Sequence, residues 1–243
     1  MPPAAAALAQ RLQGLNMFLV GMMGSGKTSV GRPLASALGY RFVDADQLLE
    51  QAAGCSIASI FASEGEEAFR SLETQVLDAI SPWQRTVVAT GGGVVLRPVN
   101  WGYLRQGVVV WLDAPEAVLL RRLRQDPTAR PLLAMPDPRQ RLRELLEQRR
   151  PLYAQADLHV PQEEEPAEAV AAKLLEALPT ILRPLPGTTA SETPGDAVLG
   201  GAATGNPASG GAAIGNPALG SAASGGGAVE IVDREGRRLD SIN

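Results

Sequence analysis

A glycine-rich segment near the start of the chain ends in a lysine and a hydroxyl. Gly21 to Thr28 read Gly-Met-Met-Gly-Ser-Gly-Lys-Thr, which fits the pattern G-x-x-x-x-G-K-[ST]. In such a phosphate loop, backbone N–H groups surround nucleotide phosphates, the lysine bridges the β- and γ-phosphates, and the hydroxyl ligates Mg²⁺. A ligand-free turn would not explain Lys27 and Thr28 in these two places. The predicted ATP-binding residues are Gly24, Ser25, Gly26, Lys27, Thr28 and Ser29, and Thr28 is the predicted Mg²⁺ ligand.

Two carboxylates follow the next apolar run, in the sequence Phe-Val-Asp-Ala-Asp that ends at Asp46. Alternate positions of a strand end point the same way, so both side chains are expected to face the phosphate loop. Asp44 is then placed to reach the Mg²⁺ hydration shell through a water, and Asp46 to accept a hydrogen bond from a substrate hydroxyl. The alternative is that Asp46 caps a helix over residues 47–53, a position that aspartate favours.

Two further features admit more than one interpretation. The triplet Gly91 to Gly93 leaves backbone accessible to a ligand, although such triplets are also common in turns. Arg70 lies in an acidic helical stretch, and its neighbours alone favour a solvated partner of a glutamate one turn away. The candidate glutamates are Glu66, Glu67 and Glu73.

The elements that carry these residues alternate between strand-like and helix-like segments. This pattern predicts an α/β fold: a doubly wound, five-stranded parallel sheet with helices on both faces and substrates at the carboxyl ends of the strands. The predicted strands are 17–20, 41–44, 86–90, 108–113 and 157–160. The predicted helices run from the phosphate loop to Gly39, over 65–80, from Pro115 to about 125, from Pro138 to 150, and onward from Pro166.

Composition changes sharply near the end of the chain. From Pro184 onward Gly, Ala, Ser, Thr and Pro dominate, and Gly-Asn-Pro-Ala occurs twice, at 205–208 and 215–218. Such a segment buries too little apolar surface to offset its ordering entropy. We therefore predict a flexible N-terminus over 1–14, a folded domain over 15–183 and a low-complexity, disordered tail over 184–243. The tail is interpreted as a spacer; the alternative is that residues 229–239 add a strand to a partner's sheet.

Charge excludes several classes of function. The tail holds 6 acidic residues and 3 arginines, which leaves 20 acidic and 19 basic residues in the remainder. A balanced domain has no electrostatic reason to bind nucleic acid or an anionic membrane. No apolar run approaches the length of a membrane span, and one cysteine cannot form an internal disulfide. We expect a cytoplasmic monomer.

One longer segment, Gly54 to Arg70, resembles the signature G-x-S-I-x-x-I-F-x-x-x-G-E-x-x-F-R of shikimate kinases. Five other motifs occur in the family's order, so that the resemblance covers roughly residues 16–178. These motifs are the phosphate loop, Asp44-Ala-Asp46, the glycine triplet, Arg130-Pro-Leu-Leu133 and Arg149-Arg-Pro-Leu-Tyr153. The resemblance implies a P-loop fold like that of nucleoside monophosphate kinases. It also implies Mg²⁺-dependent transfer of the ATP γ-phosphate to the 3-hydroxyl of shikimate, in chorismate and aromatic amino-acid synthesis.

The resemblance also assigns roles on the acceptor side. Arg70 and Arg149 would clamp the shikimate carboxylate, which suits the paired donors of a guanidinium. Asp46 and the backbone of Gly92 and Gly93 would hold ring hydroxyls. Arg70 is the last residue of the signature, and this outweighs its interpretation as a solvated helix partner.

On the nucleotide side, the resemblance implies a mobile arginine. It would be Arg130, on a lid over about 125–138 that closes on ATP. Lys27, Asp46 and Arg130 are then the predicted catalytic residues, with Asp46 the candidate general base. Arg122 is similar to the arginine that stacks on adenine. The chain is one residue longer than usual before Arg130, however, so Arg124 competes with Arg122 for this role.

Two rival functions remain open from the sequence. The first is a kinase for another small sugar acid such as gluconate, which would share the phosphate loop and fold but would not need the signature up to Arg70. The second is a non-catalytic relative that binds nucleotide or a protein partner. Against the second, every position expected to do chemistry is present.

Overall fold

The computed structural model describes residues 3–125 and 137–182. Arg130, nearly all of the predicted lid and the tail over 184–243 lie outside the described residues, so the expectations for them remain predictions.

Helices and strands alternate along most of the described chain. The strands are β1 (Met17–Val20), β2 (Arg41–Asp44), β3 (Thr86–Ala89), β4 (Val108–Asp113) and β5 (Leu158–Pro161). The first helices are α1 (Pro3–Arg11), α2 (Lys27–Leu38), α3 (Ala45–Ala53), α4 (Ile57–Ser63) and α5 (Gly65–Ile80). They are followed by α6 (Pro98–Leu104), α7 (Glu116–Gln125), α8 (Pro138–Tyr153) and α9 (Ala167–Ala177). Short 3₁₀ turns cover Val94–Leu96 and Leu178–Thr180.

The five strands form one sheet in the order β2-β3-β1-β4-β5, and every neighbouring pair is parallel. This confirms the predicted five-stranded parallel sheet. The strands β1 and β3 are buried along their whole length, because helices cover both faces. The order in which strands are added reverses at β1: β2 and β3 lie on one side of it, and β4 and β5 lie on the other. The carboxyl end of β1 is therefore the place where a ligand crevice is expected.

Alternation along β1 divides the core into two layers. Phe18 and Val20 pack into one layer, with residues of helices α3 to α8. Met17 and Leu19 pack into the other, with residues of α1, α2 and α9. The helix that begins in the phosphate loop and the helices that carry Arg70 and Arg149 thus lie on opposite faces of the sheet, yet each contributes residues to the same pocket.

The N-terminal segment differs from its prediction. Residues 1–14 were expected to be flexible, but Pro3–Arg11 form α1, and Leu8 and Leu12 are buried in the second core layer. The guanidinium of Arg11 donates to the carbonyl of Leu182 at 2.5 Å. Apolar burial and this bond hold a stretch whose alanine-rich sequence carries few charges and no capping signal.

The helix after β2 corrects a second expectation. The strand ends at Asp44, and Asp46 already lies in the first turn of α3, so the two carboxylates do not share a strand. The N-cap is Asp44, whose Oδ1 accepts from the backbone N–H groups of Asp46 (3.1 Å) and Gln47 (3.3 Å). The hypothesis that Asp46 caps this helix was therefore wrong. The side chain of Asp46 instead lines the pocket that contains the phosphate loop.

Smaller differences concern element ends. Thr90 lies just beyond β3, β5 is shifted by one residue to Leu158–Pro161, and α8 continues to Tyr153 instead of stopping at 150. Helices α4 and α6 were not predicted, because each spans only seven residues and has little periodicity to detect.

Candidate active site

The phosphate loop follows β1 directly and leads into α2. Gly24 and Gly26 adopt positive φ angles of 79° and 85°, which only glycine takes without strain. The Nζ of Lys27 donates to the carbonyls of Gly21 (2.9 Å) and Met22 (3.0 Å), so the ammonium group folds back over the loop. Backbone amides at the start of α2 and this ammonium group together make the loop a site for anions.

Two oxygen-bearing side chains that suit Mg²⁺ lie together at the end of this loop. The hydroxyl of Thr28 donates to Oδ2 of Asp44 at 2.6 Å. Within residues 3–125 and 137–182 there is no cluster of three or more His, Cys, Asp or Glu side chains that could hold a metal alone. Mg²⁺ on a nucleotide needs no such cluster, because it keeps waters and phosphate oxygens as ligands. Thr28 and Asp44 fit the protein's share of that coordination.

Arg70 lies on α5 and is almost fully buried, with 6% of its side chain exposed. Its guanidinium pairs with Glu73 at 2.9 Å and with Glu66 at 3.0 Å. Burial alone would lower the pKa of Arg70, but the two carboxylates more than offset it and raise the pKa. The helix-partner interpretation was therefore correct for Glu66 and Glu73. It was wrong for Glu67, which pairs with Arg97, and wrong that Arg70 is solvated. Arg70 also lines the pocket, as the family signature implied.

Arg149 approaches the same pocket from α8 and is 2% exposed. Its Nη1 donates to the carbonyl of Gly92 at 3.1 Å, and the hydroxyl of Tyr153 donates to the same oxygen. The Nε of Arg149 has no hydrogen-bond partner within the described ranges. An unpaired buried donor is costly in an ordinary interior and is typical of a binding site.

The glycine triplet lies where there is little room for side chains. A Cβ on Gly91 would lie 2.9 Å from a carboxylate oxygen of Asp46, and a Cβ on Gly93 would clash with the guanidinium of Arg70. A Cβ on Gly92 would lie 3.2 Å from the backbone nitrogen of Met23. The triplet is therefore more than a turn, because a side chain at Gly91 or Gly93 would displace a residue of the site and one at Gly92 would crowd the phosphate loop.

These residues line a single pocket of about 900 Å³. It contains the loop residues from Gly24 to Ser29 except Ser25, together with both aspartates, both arginines and the glycine triplet. Ser25 is also part of the loop, but it is fully buried and does not line the pocket. The apolar part of the wall comes from α4 and α5, through Ile57, Phe61 and Phe69. The motifs that lie within the described residues thus converge on one pocket, although they are scattered over more than a hundred positions.

Arg122 and Arg124 are distinguished by the structure. Arg122 lines the pocket, and its Nη1 lies 3.3 Å from the carbonyl oxygen of Gly24. Arg124 is exposed and is not part of the pocket wall. The geometry supports Arg122 as the arginine beside the nucleotide.

Three residues that line or support the site were given no role in it from the sequence, although Glu73 was a candidate partner of Arg70 and Tyr153 belonged to a motif. Glu73 is 5% exposed, lines the pocket and holds Arg70, and burial raises its pKa although Arg70 acts in the opposite direction. Tyr153 anchors Gly92, and burial raises the pKa of Tyr153 to about 12, so its hydroxyl stays a donor. Gln162, which immediately follows β5, donates from its side chain to the carbonyl of Ser25 in the phosphate loop. Their partners in the chain lie too far away for a local pattern to find, except that Glu73 is one turn from Arg70.

Known proteins resemble this chain over the same region. A sequence profile described as shikimate kinase matches residues 23–179. A shikimate kinase of Synechococcus sp. (strain RCC307) is 57% identical over 187 residues, which is 77% of this chain and 95% of that protein. One of Synechococcus elongatus (strain ATCC 33912 / PCC 7942 / FACHB-805) is 52% identical over 178 residues, covering 73% and 93%.

A solved structure matches the fold as well. Shikimate kinase from Acinetobacter baumannii in complex with shikimate is 39% identical, with a TM-score of 0.68, and the match covers 71% of this chain and 97% of that one. Within the described part of this chain, no helix is both long and apolar enough to cross a membrane. The ordered motifs, the parallel sheet and these matches agree, and the chain belongs to the shikimate kinase family.

Proposed function

We propose that the chain transfers the γ-phosphate of Mg·ATP to the 3-hydroxyl of shikimate, forming shikimate 3-phosphate and ADP. One observation carries the proposal. Two buried guanidinium groups, those of Arg70 and Arg149, line the same pocket as the phosphate-loop lysine. A phosphate loop alone would suit many nucleotide-binding proteins, but two desolvated arginines beside it call for an anionic acceptor.

On the acceptor side, the two arginines would bind the shikimate carboxylate and so fix which way the ring faces. Asp46 would accept a hydrogen bond from a ring hydroxyl. Because Gly92 and Gly93 have no side chains, the ring could lie directly against their backbone. This orientation converts a chance encounter between hydroxyl and phosphate into a positioned one, which is a main source of rate in phosphoryl transfer.

On the donor side, Lys27 and the amides at the start of α2 would hold the phosphates. Thr28 and Asp44, whose side chains are 2.6 Å apart, would hold Mg²⁺, Thr28 directly and Asp44 through a water. The metal neutralises charge on the phosphate oxygens when bound. Arg122 would contact the adenine, and Arg130, outside the described residues, would supply a further positive charge as the lid closes.

Asp46 is the candidate for receiving the proton of the reacting hydroxyl. In a loose transition state little proton removal is needed early, so its positioning role carries more weight than its basicity. We also propose that the enzyme works in the cytoplasm as a monomer, without nucleic acid or membrane partners. The balanced charge of the region before the tail supports the absence of nucleic-acid and anionic-membrane partners.

A coupled assay for ADP over a panel of hydroxy acids tests the proposal. Shikimate should be turned over with Mg·ATP, while gluconate and 3-dehydroshikimate, which lacks the 3-hydroxyl, should not. The Lys27→Ala protein is the control, and it should lose turnover by orders of magnitude without a change of fold. Faster turnover of gluconate would favour a kinase for another sugar acid. No turnover of any acid would favour a non-catalytic relative, and either result would reject the proposal.

A further inference from the structure

Gln162 is a buried polar residue at the end of β5, behind the pocket. It is 3% exposed, and its backbone N–H donates to the carbonyl of Asp113 at the end of β4, at 2.7 Å. It belongs to none of the six motifs. The residue is therefore fixed to the two last strands of the sheet, on the side where the phosphate loop passes.

Both ends of the Gln162 amide point at the nucleotide site. Its Nε2 donates to the carbonyl of Ser25 in the phosphate loop at 3.0 Å. Its Oε1 accepts from Nη1 of Arg122 at 3.4 Å, and the same Nη1 donates to Gly24 at 3.3 Å. One side chain thus connects β5, the loop and the arginine beside the nucleotide, over 40 and 137 positions of sequence.

The amide of Gln162 carries no charge, and this affects the charge that Arg122 can offer to a ligand. Burial lowers the pKa of Arg122, and the neighbouring Arg121 adds to the effect, whereas Glu164 opposes it. Glu164 pairs with Arg121 instead, and among the described residues the direct partners of Arg122 are the neutral amide and a backbone carbonyl. A carboxylate at position 162 would hold the guanidinium more strongly but would also compensate its charge. An amide positions the cation and leaves the charge available to a bound nucleotide.

We propose that Gln162 is a positioning residue for the nucleotide: it fixes Arg122 and the phosphate loop in one arrangement and so raises affinity for the adenine nucleotide. The inference rests on the proposed function only in assigning the nucleotide to this pocket. Gln162 itself does not line the pocket, so it acts through Arg122 and Ser25.

Direct binding measurements separate this role from a merely structural one. Titration calorimetry with Mg·ADP and with shikimate is carried out on wild type, Gln162→Met, Arg122→Met and the double variant. Gln155→Met, which alters an exposed glutamine, is the matched control. We expect Gln162→Met to weaken Mg·ADP binding about threefold to tenfold and to leave shikimate binding unchanged. Its effect should be smaller once Arg122 is replaced, because only the contact with Ser25 then remains.

Three results would overturn the inference: unchanged Mg·ADP affinity, an equal loss of affinity for shikimate, or full multiplication of the two single effects in the double variant. If Gln162→Met fails to fold, Gln162→Glu keeps the shape and serves instead. It should weaken Mg·ADP binding because its charge opposes the phosphates, and wild-type affinity would contradict the inference. Calorimetry needs no turnover, so a wild type that binds Mg·ADP but does not phosphorylate shikimate would reject the proposed function alone.

Discussion

Two arginines of the pocket are held in different ways. Arg70 is fixed by carboxylates of Glu66 and Glu73, whereas Arg149 is fixed by the carbonyl of Gly92. Both arrangements use part of the guanidinium and keep the planar fork rigid before a ligand arrives. Preorganised forks lose less entropy on binding a carboxylate than a flexible ammonium group would.

Replacing either arginine by lysine should therefore affect one ligand selectively. We expect Arg70→Lys and Arg149→Lys each to weaken shikimate binding about tenfold to a hundredfold and to change ATP affinity little, because a point charge replaces two directed donors. Calorimetry with each ligand measures the effect. Arg105→Lys, at an exposed position, is the control. Equal losses for both ligands would show that the arginines stabilise the fold instead.

Tyr153 gives a prediction with a defined pH dependence. Its hydroxyl holds Gly92, so Tyr153→Phe should weaken shikimate binding about twofold to tenfold, equally between about pH 6 and 9, where tyrosine stays neutral. Burial raises the folded pKa to about 12, above the ordinary value of 10.0. Wild type should therefore lose stability relative to Tyr153→Phe only as pH rises from about 10 towards 12. A difference in shikimate affinity that varies with pH below 9 would contradict this role.

Among the elements, the sheet was predictable because its strands are short, mostly apolar runs, and four of the five end at an aspartate or are followed within two residues by a glycine. The site residues just after those strands followed from the rule that parallel strands end at one edge. Local sequence patterns could not give the exact residue at which a strand ends and the next helix begins. Asp44 and Asp46 look equivalent in sequence, and only the position of the strand end decides that one caps α3 and the other does not.

Helix α1 was missed for a related reason. Its nine residues carry no cap and would be marginal alone, so tertiary packing decides its stability. Leu12 directly follows the helix and is fully buried. Leu12→Ala should lower the free energy of unfolding by about 2–5 kcal/mol, measured by urea denaturation, with turnover unchanged at low temperature. The exposed change Gln10→Ala is the control, and equal stability of the two variants would mean that α1 is dispensable.

At the scale of the whole molecule, the family match and the described fold both end near residue 180. The composition of 184–243 predicts a spacer without a catalytic part. A chain shortened to end at Leu185 should therefore keep the melting temperature and shikimate turnover of the full chain. A clear loss of either would mean that the tail docks on the enzyme. Retained activity with loss of a cellular partner from pull-downs would favour strand addition by residues 229–239.

The central claim is that this pocket directs phosphate to one hydroxyl of one acid. The most direct measurement is a ³¹P–¹H correlation spectrum of the product formed from shikimate and Mg·ATP. We expect a phosphate ester on the 3-hydroxyl, formed in equal amount with ADP, and no product with Lys27→Ala. An ester on another hydroxyl, or ADP with free phosphate and unchanged shikimate, would contradict the claim.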